Sequence, residues 1–130
     1  MLITALYAGL LALIAVFLVA GVGVSRTKAG VSLGDGGNEA LIVSGRRHMN
    51  FVENVPLALI LLTLIEINGA PKEWIHGLGG ALVLGRIIHP FGLNMQSGRH
   101  PARGIGALLS MLVLLISAGI AIWQVASTLT

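Results

Sequence analysis

The first 24 residues, Met1 to Val24, contain no Asp, Glu, Lys or Arg. As a helix rising about 1.5 Å per residue, such a run is long enough to cross a hydrocarbon core of about 30 Å. It has no basic n-region, and its apolar run exceeds the roughly 7–15 residues of a signal peptide, so a retained helix is expected. The rest of the chain has the same character. Of 130 residues, 55% are hydrophobic and 10% charged, against about 45–50% and about 25% in soluble domains. A soluble globule of this size exposes much of its surface and could not cover it with so few charges. Disorder needs low hydrophobicity and high charge, and fails on both counts. One integral membrane domain over residues 1–130 remains.

Turn signals divide that domain. Gly34, Gly36 and Gly37 surround Asp35 in a polar loop, Asn68-Gly69-Ala70-Pro71 is a turn, and Asn94 to Pro101 is a second polar loop. The expected spans are about 2–24, 40–67, 74–93 and 102–128, an all-α, up-down-up-down four-helix bundle. Arg26, Lys28, Arg46, Arg47, Arg99 and Arg103 belong to the first and third loops and their flanks, whereas Lys72 is alone on the other side. The positive-inside rule therefore puts those two loops in the cytoplasm and both termini opposite. Tyr7, Trp74 and Trp123 fall where an aromatic belt would lie on the opposite face. Gly77, Ala81 and Gly85 recur every fourth residue, as do Gly106 and Ser110, and Ala8 and Ala12; such small residues let helices approach closely in lipid.

Composition also excludes several chemistries. Without cysteine there is no disulfide, thiolate-metal site or cysteine nucleophile. The net charge of +3 comes with no basic tract or exposed aromatic patch of the kind nucleic acid requires. No metal site is expected. In a membrane chain the small positive excess instead sets orientation and binds a small anion.

Ionisable groups within spans are costly and point to chemistry. Arg46, Asn50 and Glu53 are spaced i, i+4 and i+7, at directions of about 0°, 40° and −20° around a helix. They form one narrow stripe, either a helix-stabilising Arg–Glu network or a pocket for an anionic or zwitterionic ligand. Arg86 and His89 share one face of the third span at the same depth, and Arg99 and Arg103 straddle the start of the fourth around Pro101. Snorkelling of Arg99 and simple packing of His89 are the plain alternatives. Arg47 and His48 point away from the stripe, toward headgroups or loops. Converging arginines suit a ligand with more than one carboxylate, since each guanidinium offers two charge-assisted hydrogen bonds. Glu53 then either meets an ammonium on that ligand or pairs with an arginine.

These residues resemble a known family. The run Arg46-Arg47-His48-Met49-Asn50-Phe51-Val52-Glu53-Asn54-Val55-Pro56 resembles the second-helix signature of MAPEG proteins, the membrane-associated proteins in eicosanoid and glutathione metabolism. Gly85-Arg86-Ile87-Ile88-His89 resembles the family's third-helix Gly-Arg-x-x-His, and Arg99-His100-Pro101-Ala102-Arg103 its Arg-x-Pro-x-Arg entry to the fourth helix. The likeness covers essentially the whole chain and points to a microsomal glutathione transferase-like member of bacterial type, in an inner membrane.

The resemblance implies a homotrimer with glutathione as co-substrate, bound between subunits on the cytoplasmic side. It places Arg46, Asn50, Glu53, His89 and Arg99 on glutathione, with Arg86 supporting. Arg26 or Lys28 would come from the neighbouring subunit, and Arg103 is the catalytic candidate that stabilises the thiolate. Partners would be further copies of the chain, membrane lipid and a lipophilic small-molecule substrate. Leu93 stands where many eicosanoid-making members carry tyrosine, and Ile42, Val43 and Met49 replace polar residues of other members, which argues against leukotriene or prostaglandin synthesis. The leading expectation is a glutathione-dependent transferase or peroxidase acting on hydrophobic electrophiles. A non-catalytic lipid-binding or scaffold protein of the same fold is the second. A proton-coupled exporter is the third and weakest, because the first span has no acid and Glu66 reads as a snorkelling or interhelical contact.

Overall fold

A computed structural model describes residues 3–95 and 100–129. Within them lie four α-helices, α1 (Thr4–Ala29), α2 (Glu39–Ile67), α3 (Lys72–Ile88) and α4 (Pro101–Leu129), with a short 3₁₀ turn, η1 (His89–Gly92), after α3. No strand is present among the described residues. Helices α1, α2 and α4 are long and apolar enough to cross a membrane.

Two boundaries differ from the sequence expectation. Helix α1 continues past Val24 to Ala29, carrying Arg26 and Lys28 in its last turn. Basic side chains at a helix C-terminus face the negative end of the peptide dipoles, which favours that extra turn. Gly30 then closes the helix at φ 66°, and its N–H reaches back to the Thr27 carbonyl; a residue with a Cβ adopts that left-handed geometry at a cost. The third expected span, Trp74 to Leu93, is helical over only part of its length, because Pro90 has no N–H for an α-helical bond and the chain tightens into η1.

The other ends follow from local chemistry. Asn38 caps α2 by accepting from the Leu41 N–H at 3.1 Å. At the start of α4, the His100 carbonyl accepts from the backbone N–H of Arg103 and Gly104. Pro101 fits the first helical position there because it has no N–H to satisfy.

Packing is closest between α1 and α2 and between α3 and α4, with α2 also against α4 and α1 against α3. The core is a continuous apolar cluster that includes Leu11, Val55, Ala58, Leu62, Ile75, Leu82 and Val113. Long-range contacts fix which helix ends meet. Glu66, late in α2, accepts from the backbone N–H of Ile3 and, at 2.8 Å, of Thr4 at the start of α1. The Tyr7 hydroxyl lies 2.7 Å from Nδ1 of His76, early in α3, and Gln124 near the end of α4 donates to the Ile65 carbonyl at 3.1 Å. Glu66 is therefore the interhelical contact expected of it.

The small-residue stripes are used in part. A Cβ on Gly106 would lie 2.6 Å from Cβ of His89 and 2.7 Å from the Gly85 carbonyl oxygen, so α3 and α4 touch backbone to backbone there. A Cβ on Gly77 would meet no neighbouring helix; Gly79 is the glycine pressed against another helix, beneath the Tyr7 ring.

Candidate functional site

The residues singled out by sequence divide into an inner and an outer set. Arg86 is 2% exposed and His89 4%. From α3, Arg86 Nη1 donates to Asn50 Oδ1 at 2.9 Å, Nη2 donates to the Gly106 carbonyl at 2.9 Å, and Nη2 also bonds the Ser110 hydroxyl. One guanidinium thus ties α2, α3 and α4 together. Its partners are all neutral: an amide, carbonyls and a hydroxyl. Each bond from a charged donor contributes about 1.5–3 kcal/mol against the desolvation of the cation. Ser110 also donates to the Gly106 carbonyl at 3.1 Å, so the cluster is cross-connected.

Asn50 is half-buried, and the bond from Arg86 fixes its side-chain oxygen inward. The amide nitrogen is then the donor left for an outside group. His89 is buried against Gly106 at the α3–α4 contact.

The outer set faces away from the core. On α2 the buried side chains are Leu41, Phe51, Val55, Ala58, Leu62 and Ile65. Arg46 and Glu53 lie on the opposite side of that helix and are exposed. They form neither the Arg–Glu network nor any other hydrogen bond or ion pair among the described residues. Arg103 is exposed as well, its backbone packed on buried Gly92. Arg26 folds back on its own loop, donating to the carbonyls of Val31 at 3.3 Å and Gly34 at 3.0 Å. Arg99 lies outside the described residues.

Within a single chain these residues do not come together around one cavity among the described residues. Among the described residues, the two cavities at this end are lined by Arg47, and one of them also by Arg86, but not by Arg46, Asn50, Glu53, His89 or Arg103. The cause is rotational: the stripe that aligns Arg46 with Glu53 lies across α2 from its core-facing side, so only its inner edge, Asn50, reaches Arg86. Arg47, by contrast, takes the loop contact expected of it, donating to the Leu93 carbonyl at 2.7 Å. Sequence reading missed Ser110 as a partner of Arg86 and His76 as a partner of Tyr7. Residues so far apart in the chain share no periodicity that would pair them.

Comparison with known proteins identifies the chain's relatives. The family model described as "MAPEG family" matches residues 4–123. The chain is 34% identical over 118 residues to the inner membrane protein YecN of Escherichia coli K12, covering 91% of this chain and 90% of the relative. The same protein from Escherichia coli O6:H1 matches equally well.

Proposed function

The chain belongs to the MAPEG family of membrane proteins, and from that premise we propose that it is a glutathione-dependent transferase or peroxidase for hydrophobic electrophiles, working as a homotrimer. The observation that carries the reading is the outer face of α2. Arg46 and Glu53 are exposed and unpartnered among the described residues, on a helix long enough to span a membrane. Facing lipid, a charge costs about 2.5–3.5 kcal/mol at mid-span and less near the interface. A second copy of the chain with a zwitterionic ligand between them removes that cost. Glutathione fits the pair, with carboxylates for Arg46 and an ammonium for Glu53. The Asn50 amide nitrogen offers a further donor, and Arg86 acts as a positioning residue that holds Asn50. Arg26 of a neighbouring subunit, His89 and Arg99 complete the proposed binding set.

The meetings of helix ends support an up-down-up-down bundle. The arginine count of the first and third loops supports their placement in the cytoplasm of a bacterial inner membrane, with both termini opposite. The glutathione site would then lie at the inner leaflet, where the soluble thiol and a membrane-borne substrate can meet.

The chemistry follows from charge. A thiol with a pKa near 8.5 is only a few per cent thiolate at pH 7. Lowering that pKa by two units needs about 2.7 kcal/mol of differential interaction, which the guanidinium of Arg103 supplies. The thiol proton leaves to solvent, the sulfur lone pair forms a C–S bond to the electrophile, and the leaving group departs with its bonding pair. With a hydroperoxide, two glutathiones are oxidised to the disulfide while the peroxide is reduced to an alcohol and water.

The test is a titration of purified protein in detergent with glutathione, following thiolate absorbance near 240 nm. Binding with proton release is expected, and the Arg103→Leu variant should bind glutathione with a much smaller thiolate signal and slower conjugation. A full thiolate signal in that variant would remove Arg103 from its role. No binding at millimolar glutathione would favour the second reading, a non-catalytic lipid-binding or scaffold protein. That alternative draws on Leu93, which stands where many catalytic members supply a tyrosine hydroxyl.

A further inference from the structure

We propose that the cleft between the 68–71 turn and the end of α4 binds a small organic cation of the trimethylammonium class. The cleft has a volume of about 650 Å³, within the roughly 300–1,000 Å³ of small-molecule sites. Both tryptophans of the chain line it, Trp74 at the start of α3 and Trp123 near the end of α4. It lies at the end of the bundle remote from Arg46, Asn50 and Arg103, so it stands independently of the glutathione reading.

The polar groups of the cleft have spent most of their donors internally. Gln124 Nε2 donates to the carbonyls of Ile65 and Asn68, at 3.1 and 3.4 Å. The hydroxyls of Ser127 and Thr128 donate to the carbonyls of Gln124 and Val125, at 2.9 and 2.7 Å. In the turn, the N–H groups of Asn68, Gly69 and Ala70 donate to carbonyls of α2, and Pro71 has no N–H. Apart from the Asn68 amide and the two indole N–H groups, what remains on these groups is acceptor capacity, on hydroxyl and carbonyl oxygens. Among the described residues no Asp, Glu, Lys or Arg lines the cleft; Lys72 and Glu73 lie beside it in the chain but not on its walls. Helices α2 and α4 end here and α3 begins. Two carbonyl ends against one N–H end give the site a net negative potential.

An organic cation answers each of these features. Indole is the strongest aromatic partner of a cation, and quaternary ammonium groups are recognised by clustered aromatic rings. Its methyl groups suit the apolar part of the lining, Ala70, Pro71 and Ile120. A metal ion is a poorer match, because hard cations take several oxygen ligands, carboxylates above all, and no carboxylate lines the cleft. An anion finds no positive side chain there. The same absence favours a free cation over a lipid headgroup, since the phosphate that accompanies a headgroup ammonium would have no Lys or Arg to meet it. Tryptophans of an ordinary aromatic belt act singly at the headgroup level; these two share one cleft, and they are the only two in the chain.

The experiment uses full-length protein in maltoside detergent, with choline as probe. Because both tryptophans line the cleft, intrinsic fluorescence should change saturably with choline chloride and not with equal sodium chloride. The uncharged isostere of choline, in which carbon replaces nitrogen, should act about tenfold more weakly. Equilibrium dialysis with labelled choline then reads the variants. Trp74 and Trp123 are 51% and 68% exposed, so replacing them leaves the core intact; Trp74→Leu and Trp123→Leu should each weaken choline about threefold. Ser127→Lys, also at an exposed position, should abolish binding by placing a like charge in the cleft. Absence of a saturable change, an equal response to the isostere, or wild-type affinity in all three variants overturns the proposal. Displacement of labelled choline by glycerophosphocholine as readily as by choline itself also overturns it, in favour of a lipid headgroup.

Discussion

The two ends of the bundle are completed to different degrees. At the end holding the 68–71 turn, polar side chains close on their own chain: Glu66 on the first N–H groups of α1, Tyr7 on His76, and Gln124 on the Ile65 carbonyl. At the other end, Arg86 is closed in the same way, but Arg46, Glu53 and Arg103 face outward from the protomer. A membrane chain with no further task would pair such charges internally or leave them out, because unpaired charge in a low-dielectric medium is expensive. The contrast separates groups that hold the fold from groups that face out of the protomer. Stability should follow the first and ligand binding the second.

Four substitutions test that division. Gly106→Val pushes a branched side chain into His89 and the Gly85 carbonyl, and should cost about 3 kcal/mol, the upper part of the overpacking range. Thermal unfolding in detergent followed by circular dichroism reads the loss; wild-type melting would mean that α3 and α4 do not touch there. Arg86→Met should cost about 2 kcal/mol, because relief of the buried charge is outweighed by Asn50 and Ser110 left without their donor. If that variant were more stable than the wild type, the cluster would exist for function at the expense of the fold.

Smaller effects belong to the opposite end and to the outer face. Glu66→Ala removes the acceptor of two N–H groups at the start of α1, and about 1 kcal/mol should be lost, the usual cost of a helix cap. Amide exchange at Ile3 and Thr4 should accelerate ahead of the rest of α1. Arg46→Leu should change protomer stability by less than about 0.5 kcal/mol, yet abolish glutathione binding in a calorimetric titration. Should Arg46→Leu unfold the protein as readily as Arg86→Met, inner and outer groups would no longer be distinct.

Much of this was legible in the chain itself, for physical reasons that can be named. The charge-free run to Val24 requires a helix of membrane length, and Asn68-Gly69 marks an end because its backbone turns there through local hydrogen bonds. Arg46, Asn50 and Glu53 share a face because helical geometry is periodic. The extension of α1 to Ala29 was less visible, since Ser25, Arg26 and Lys28 look like loop by polarity alone. The 3₁₀ turn at His89 was overlooked although Pro90 signalled it. The pairing of Arg86 with Ser110 leaves no sequence trace, because it depends on how far α4 slides along α3.

Periodicity and hydropathy are local properties, and the sequence alone settled what they govern: an all-helical membrane chain with few charges. Rotation of each helix about its axis is not local. It is set by where the largest apolar surface finds a partner and by contacts as close as Gly85 against Gly106. That rotation turned Arg86 inward onto three neutral partners and left Arg46 and Glu53 facing out. Tertiary packing alone therefore decided which arginine holds the fold and which faces out of the protomer.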